Sequence, residues 1–336
     1  MELSAALAVF GAELRSNEPT FSQYSLELSN LSEWTGFRPI RPLGHTEQFD
    51  GGVTYKSPER LPADCGVGIV ELSSASSSKM GVREFSIAHR DVFALRPTSP
   101  LSIDDVQKRM IRPLRYFLAL ATGSLPDIVR LDALKKTRSS HWPWRAVRLY
   151  QTSRAPQAEK VYNHQMPLPL EGLDFPVILP AWFRIFQQMS GPCDLLFDRT
   201  SGFISNRFFD VATAAEGMHH ALLGSKSRAT PQEKYRIAEA VKHLPEVDRE
   251  WVRSRLGQSF GPSFEIRLLE LRAVAGDSGY LYTQGGGLGG IEAWSALAAE
   301  YRNRIAHSRD IEAINWSDLA HLEWSISGLL RLVLLR

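Results

Sequence analysis

A chain of 336 residues, 43% hydrophobic and 23% charged, has the composition of a folded protein and is long enough for two domains with their own cores. That balance excludes a disordered or membrane-embedded chain, and a net charge of only +2 excludes a global field drawing the protein onto nucleic acid. Cys65 and Cys193 lie far apart and match no metal spacing, which suits a reducing compartment and predicts a cytoplasmic protein.

The opening "MELSAALAVFGAELR" has an apolar run, but it carries Glu2 and no basic region, so it does not read as a signal peptide. Strands are predicted through the first hundred residues. "FSQYSLELS" (Phe21–Ser29), "GVGIVELSS" (Gly66–Ser74) and "REFSIAH" (Arg83–His89) all mix β-formers with polar alternation. Between them lie "RPIRPLG", "FDGG" and "SSASSSKMG"; the last reads as a mobile hairpin tip. From Ser102 a helix is predicted in "SIDDVQKRMIRPLRYFLALATG", with a Ser cap, early Asp residues, a closing Gly and a kink at Pro113. Short strands return at "DIVRL" and "RAVRLYQT". The proline-bearing "NHQMPLPLEGLDFP" (Asn163–Pro176) marks a domain boundary, placing a β-rich domain at 1–170 and a helical one at 171–336.

Beyond the boundary, helices are predicted at Val177–Met189, Phe203–Leu223, Thr230–Lys242, Glu246–Leu256, Pro262–Ala275, Gly290–Ala306 and Trp316–Leu335. Phe208, Val211, Ala215, Met218 and Leu222 recur at helical spacing ahead of the stop signal Gly224. The final helix is capped by Asn315 or Ser317 and puts Leu319, Leu322, Ile326, Leu329, Leu330 and Val333 on one broad face. Its greasy end is interrupted by Arg331 and is too short to span a bilayer. Amphipathic helices on short links make a bundle, so the predicted fold class is α+β.

Charge is uneven along the chain. Asp105–Lys160 carries 12 Lys/Arg against 4 Asp/Glu, which leaves the remainder net acidic. Aromatics are interleaved in "SSHWPWRAVRLYQ", so His141, Trp142, Trp144 and Arg145 are candidate RNA contacts through phosphate pairing and stacking. The competing reading is a solvated basic face with two tryptophans in a local core.

Two motifs have the right letters and the wrong context. Gly285, Gly287 and Gly290 in "YLYTQGGGLGGIEAW" spell a dinucleotide fingerprint, with Asp310 placed 20 residues beyond Gly290. The fingerprint needs a second parallel strand after its helix, and only "IEAIN" is available there. Glu216, His219 and His220 in "EGMHH" resemble half of a di-metal helix motif, but no second E-x-x-H follows. Local hydrogen bonding on the helix face is the simpler expectation, with Glu216 or a histidine lining a cleft as the alternative. No cofactor or metal site is predicted.

The stretch "EYRNRIAHSRD" is the one that carries chemistry. Asn303 and His307 are about 40° apart around an ideal helix, whereas Arg302 is about 140° from His307. Arg302 and His307 therefore share a cleft only if the helix loosens near Ser308 or a second copy faces the first, which predicts a symmetric homodimer. Histidine moves protons near neutral pH and arginine holds a phosphate with a fixed fork. That set suffices to cleave RNA without metal, by attack of the ribose 2′-hydroxyl on its own phosphorus. The competing reading is structural: Arg and His favour a helix C-terminus, and Glu300 and Arg304 suit an i, i+4 pair.

With its bundle context, "RNRIAHS" resembles the R-x4-6-H motif of HEPN domains, many of which are ribonucleases. Upstream, "FSQYSLELSNLSEWTG" resembles the F…L-x-x-W segment of ApeA N-terminal domains, and "LDFPVILPAWFRIFQQM…LLFD…FISNRFFDVATAAEGMHHALL" resembles the segment that joins that domain to its HEPN bundle. The chain is thus similar to ApeA-like HEPN proteins of bacterial anti-phage defence by abortive infection. Ahead of the F…L-x-x-W segment it has only "MELSAALAVFGAELRSNEPT", fewer strands than the resemblance leads one to expect. By position, the resemblance implies Arg302 and His307 as the catalytic pair, Asn303 as the polar residue after the Arg, and Glu216 as a secondary acidic residue, with Arg304 a further RNA contact. It also implies RNA as the partner, transfer RNA at the family level, and a phage-derived activator. A non-catalytic HEPN module that binds nucleotide, RNA or protein is the alternative.

Overall fold

A computed structural model describes residues 7–10, 21–42, 53–80, 85–136, 144–151, 166–198, 202–224, 230–259, 261–278, 290–307 and 311–336. It divides into two compact units, Met1–Gln187 and Gln188–Arg336. An antiparallel sheet precedes a helical region, so the fold is α+β, as the sequence predicts.

The first unit is built on a seven-stranded antiparallel sheet. Its strands are β1 (Leu7–Phe10), β2 (Gln23–Leu28), β5 (Leu61–Asp64), β6 (Gly68–Met80), β7 (Phe85–Pro97), β8 (Ile128–Lys136) and β9 (Trp144–Gln151), in the order β1-β9-β8-β2-β7-β6-β5. Strands β3 (Ile40–Pro42) and β4 (Val53–Tyr55) pair separately. Strand β2 shows the cause of the fold most directly. Tyr24, Leu26 and Leu28 alternate with half-exposed polar residues, so one face is buried and the register is fixed. Behind that face, Trp34 of the short helix α1 (Leu31–Thr35) meets Phe117 edge-on at 5.8 Å between centroids, and Phe175 lies 6.3 Å away. The polar ends of these rings are satisfied: Trp34 donates to the Leu168 carbonyl at 2.8 Å and Tyr24 to that of Leu101 at 2.9 Å.

One expectation needs correction. The serine-rich stretch is not a hairpin tip but part of a long strand, its ladder running through Ser78↔Ile87 to Met80↔Phe85. Thirteen consecutive rungs outweigh the weak strand preference of serine. At Pro113, where a kink is expected, the helix carries a π-turn just before the proline. Helix α2 (Ile103–Val106) continues through a π-turn at Gln107–Ile111 into α3 (Arg112–Thr122), and the Arg112 amide reaches back five residues to the Gln107 carbonyl. The wider turn takes up the hydrogen-bond register that proline breaks.

A buried polar knot joins α1 to the sheet. Asp91 has a fully buried side chain and accepts from Thr35 Oγ1 at 2.7 Å, Ser74 Oγ at 3.1 Å and His89 Nε2 at 3.0 Å. The other ring nitrogen of His89 lies 3.4 Å from the Tyr55 hydroxyl on β4. Three donors are what a buried carboxylate requires.

Helix α4 (Phe175–Phe197) extends beyond the expected Met189, where the backbone leaves helical geometry at φ −124° and ψ 22° before the helix resumes. Pro192 cannot donate to the carbonyl four residues back, which accounts for a break in the preceding turn. The second unit contains α5 (Ile204–Leu223), α6 (Pro231–Lys242), α7 (Glu246–Ser259), α8 (Phe264–Ala275), α9 (Ile291–Ala306) and α10 (Trp316–Leu334). Leu319, Leu322, Ile326, Leu329 and Leu330 of α10 are fully buried, as are Phe208, Val211 and Met218 of α5 and Leu268 and Leu271 of α8. Trp294 of α9 donates to Ser325 Oγ at 2.9 Å inside this core. Three of these helices begin at side-chain caps: Thr230 forms a full capping box with Glu233, and Ser263 and Asn315 each accept a backbone N–H. In contrast, α6 and α7 pair with each other and leave Tyr235, Val247 and Trp251 exposed.

Asp91→Ala is expected to destabilise the protein by about 3 kcal/mol in chemical denaturation, because it strands three buried donors; a loss below about 0.5 kcal/mol would contradict this account of the knot. A Cβ at Gly217 of α5 would come within 2.7 Å of Pro192 Cγ. Overpacking of about 1–3 kcal/mol exceeds the helix-propensity gain of about 1 kcal/mol. Gly217→Ala is therefore expected to lower the melting temperature, and a rise would show that the contact is loose.

Candidate functional site

The sequence motif lies at the C-terminal end of α9, whose fully buried Trp294 and Ala298 set the rotation of the helix. Tyr301, one residue before the motif, is buried and accepts the backbone N–H of Asn315 at 3.2 Å. That bond ties the end of α9 to the N-cap of α10 and closes the loop that leaves His307.

Arg302 points across to α5. Its Nη2 donates to both carboxylate oxygens of Glu216, at 3.1 and 3.3 Å, and its Nη1 donates to Asn303 Oδ1 at 3.3 Å. Arg302 and Glu216 are each a little under one-third exposed. The pair is thus partly open to solvent. Three of the expected site residues, Arg302, Asn303 and Glu216, are brought together.

His307 is not part of that group. It caps α9, with its backbone N–H on the Asn303 carbonyl at 3.1 Å, and its exposed ring makes no hydrogen bond or ion pair with a described residue. Arg304 is ion-paired with Glu300 on its own helix, as the i, i+4 spacing predicts. His141 and Trp142 lie outside the described residues. Trp144 and Arg145 are on β9, opposite Lys136 and Lys135 of β8.

The "EGMHH" segment does more than bond locally. His219 is buried and its Nε2 lies 2.6 Å from Glu270 Oε2 of α8, while its buried Nδ1 has no partner. Glu216 and His219 are one turn apart on α5, so their Cβ atoms are about 5–6 Å apart. One face of α5 therefore carries two polar links: Glu216 to Arg302 on α9, and His219 to Glu270 on α8. Glu270 escaped sequence reasoning because 51 residues separate it from its partner. The only local signal is an acidic residue between Leu269 and Leu271 in an apolar helix.

The other candidates fare differently. The glycine-rich segment lies outside the described residues except Gly290, the N-cap of α9. Among the described residues, α9 is followed by a single 3-10 turn and then α10, with no strand. No group of three His, Cys, Asp or Glu side chains is disposed to hold a metal among the described residues. Burial, aided by the neighbouring Asp64 carboxylate, pushes the Cys65 thiol up to about 12, so it is no nucleophile at neutral pH. No helix among the described residues is long and apolar enough to cross a membrane.

In comparison with known families, the model for ApeA N-terminal domain 1 matches residues 2–182, more than half of the chain. Neither a curated protein nor a solved structure matches. The match points to a role in anti-phage defence, and the chain belongs to the ApeA N-terminal domain 1 family.

Proposed function

We propose that the protein is a metal-independent endoribonuclease of the HEPN type, acting in the cytoplasm as a homodimer during anti-phage abortive infection. The observation that carries this reading is the carboxylate of Glu216 held by one guanidinium nitrogen of Arg302, Nη2, at the end of the helix that presents His307. An RNA phosphate would take the place of Glu216 on the guanidinium and could engage more than one of its nitrogens. The 2′-oxygen then bonds to phosphorus and the bond to the 5′-oxygen breaks. Arg302 stabilises the charge that builds on the equatorial oxygens, and His307 moves protons. The products are a 2′,3′-cyclic phosphate and a 5′-hydroxyl. Arg302 is taken up by Glu216 and Asn303, and the exposed His307 ring meets no described residue, so the reading requires a cleft completed by the second copy. The first unit, with its family match, would then receive the activating signal, a phage product, and transfer RNA is the substrate class the resemblance favours.

A second reading rests on the same ion pair. A guanidinium already filled by a carboxylate is what a non-catalytic module would contain, one that binds nucleotide, RNA or a protein partner through these helices.

The two readings separate in a cleavage assay with EDTA present. The nuclease reading expects cyclic-phosphate ends, and a loss of about 10²-fold or more in His307→Ala and Arg302→Ala. Cleavage by His307→Ala at the unmodified rate would sink it. RNA binding that is lost in Arg302→Ala, with no cleavage by any form, would establish the second reading.

A further inference from the structure

One edge of the seven-stranded sheet is only partly covered. Strand β5 pairs with β6 from Ile69 to Leu72, with Leu61 opposite Leu72 and Asp64 opposite Ile69. On its other side β6 is paired with β7 along its whole length, to Met80 opposite Phe85, in an unbroken register. From Ser73 onward β6 is therefore the edge of the sheet among the described residues. The chain ahead of β5 does not continue alongside it. The Lys56 amide donates to the Pro39 carbonyl at 2.9 Å, which takes that segment to the separate β3–β4 pair. Ser76, Ser77, Ser78 and Lys79 are all exposed, and successive side chains point to opposite faces, so both faces of this stretch are open.

The direction of the backbone groups follows from the ladders. The Cys65 amide donates to the Gly68 carbonyl at 3.0 Å, and the Thr98 amide to the Val67 carbonyl at 3.2 Å. In an antiparallel ladder a residue turns its N–H and C=O to the same side, and the side alternates along the strand. Even-numbered residues of β6 thus face β5. Pro62, which has no N–H to give, accordingly stands opposite the odd-numbered Glu71. Beyond Leu72 the same alternation turns the amides and carbonyls of Ser74, Ser76 and Ser78 outward, while those of Ala75 and Ser77 go to β7.

An open edge is a template for a further strand, and proteins blunt it with proline, a bulge or a very short strand. Strand β5 is short and carries Pro62. The stretch from Ser73 to Lys79 has no proline, an unbroken register and a single charge. Its two ends are basic. Lys79 stands at the far end. At the near end Arg60, just ahead of β5, has a side chain 73% exposed; it lies 3.7 Å from Glu71, which Arg96 holds more closely at 3.1 Å. Two copies paired edge to edge about Ser76 would set Lys79 of each beside Ser73 of the other, next to Arg60, with like charges at both ends. An acidic strand meets opposite charge in both places.

We propose that the edge of β6 from Ser74 to Lys79 takes an extended, acidic segment of another protein as an added strand. The outward amides of Ser76 and Ser78 supply main-chain hydrogen bonds, and carboxylates near the ends of the segment meet Lys79 and Arg60. This gives the first unit a class of partner and does not rest on the nuclease reading.

The test selects a displayed library of random decapeptides against the full chain, and the tightest binder is synthesised. Selected sequences are expected to be rich in β-branched residues with carboxylates toward their ends. Amide exchange followed by NMR is expected to be fast at Ser76 and Ser78 in the free chain and about tenfold or more slower with the peptide bound, while Ala75 and Ser77 stay slow throughout. Ser76→Pro removes one outward donor and leaves the ladder to β7, so it is expected to weaken the peptide about tenfold, and Lys79→Glu to weaken it by a similar factor. Ser76 and Ser78 amides that slow as the free chain is concentrated would assign the edge to a second copy. The same amides slow at every concentration would mean that the edge is closed, and a peptide that binds without slowing them docks elsewhere. Each of these outcomes overturns the proposal, as does a library that yields no binder.

Discussion

The interaction on which the proposed chemistry of the second unit depends is the pairing of Arg302 with Glu216 between α9 and α5. Energetically it is a modest interaction. Two partly exposed charges in contact contribute about 0–1 kcal/mol, far less than a buried leucine of α10 contributes by leaving water. The core of the unit is set by Leu319, Leu322, Ile326 and Trp294, and it would persist if Arg302 and Glu216 were both neutral and polar. The pair is therefore free to exchange partners. In the proposed reading, an anion such as phosphate that offers the guanidinium comparable acceptors would displace the carboxylate at little net cost. Replacing Arg302 with lysine would keep the charge and lose the fork.

The same logic separates the two units. In the first, the buried carboxylate of Asp91 has its acceptor capacity filled from three directions and is closed to solvent, as a structural group must be. In the second, the carboxylate of Glu216 meets Arg302 while remaining nearly one-third exposed, so it is not enclosed in this way. Polar groups that are satisfied and enclosed hold a fold, whereas polar groups that are held but open can meet a ligand. The family match covers the enclosed network and stops at residue 182, short of the open one, so the proposed chemistry stands on geometry and on the motif.

How far the sequence reveals this depends on the range of each interaction. Helix ends are legible because their causes are local: Thr230 with Glu233, Asn315 with Ser317, and Gly224 after the last turn of α5 are read within a few residues. The motif itself is legible, as is the Glu300–Arg304 pair. The partners of the motif are not. Arg302 finds Glu216 across 86 residues and His219 finds Glu270 across 51, and no spacing rule spans such gaps. The serine run of β6 is misread for a related reason. Its strand character comes from the facing β7, while composition alone indicates a turn. Pro113 marks an irregularity that the sequence locates, while the π-turn that accompanies it is a hydrogen-bond pattern no composition rule names.

The most direct test of the account follows the Arg302 guanidinium itself by NMR while a 2′-O-methyl RNA oligonucleotide, which cannot be cleaved, is titrated in. The account predicts a saturable shift of the Arg302 signals, at lower RNA concentration in Glu216→Gln, where the competing carboxylate is gone. RNA that binds while the Arg302 signals stay still would contradict it, because the phosphate would then be held elsewhere.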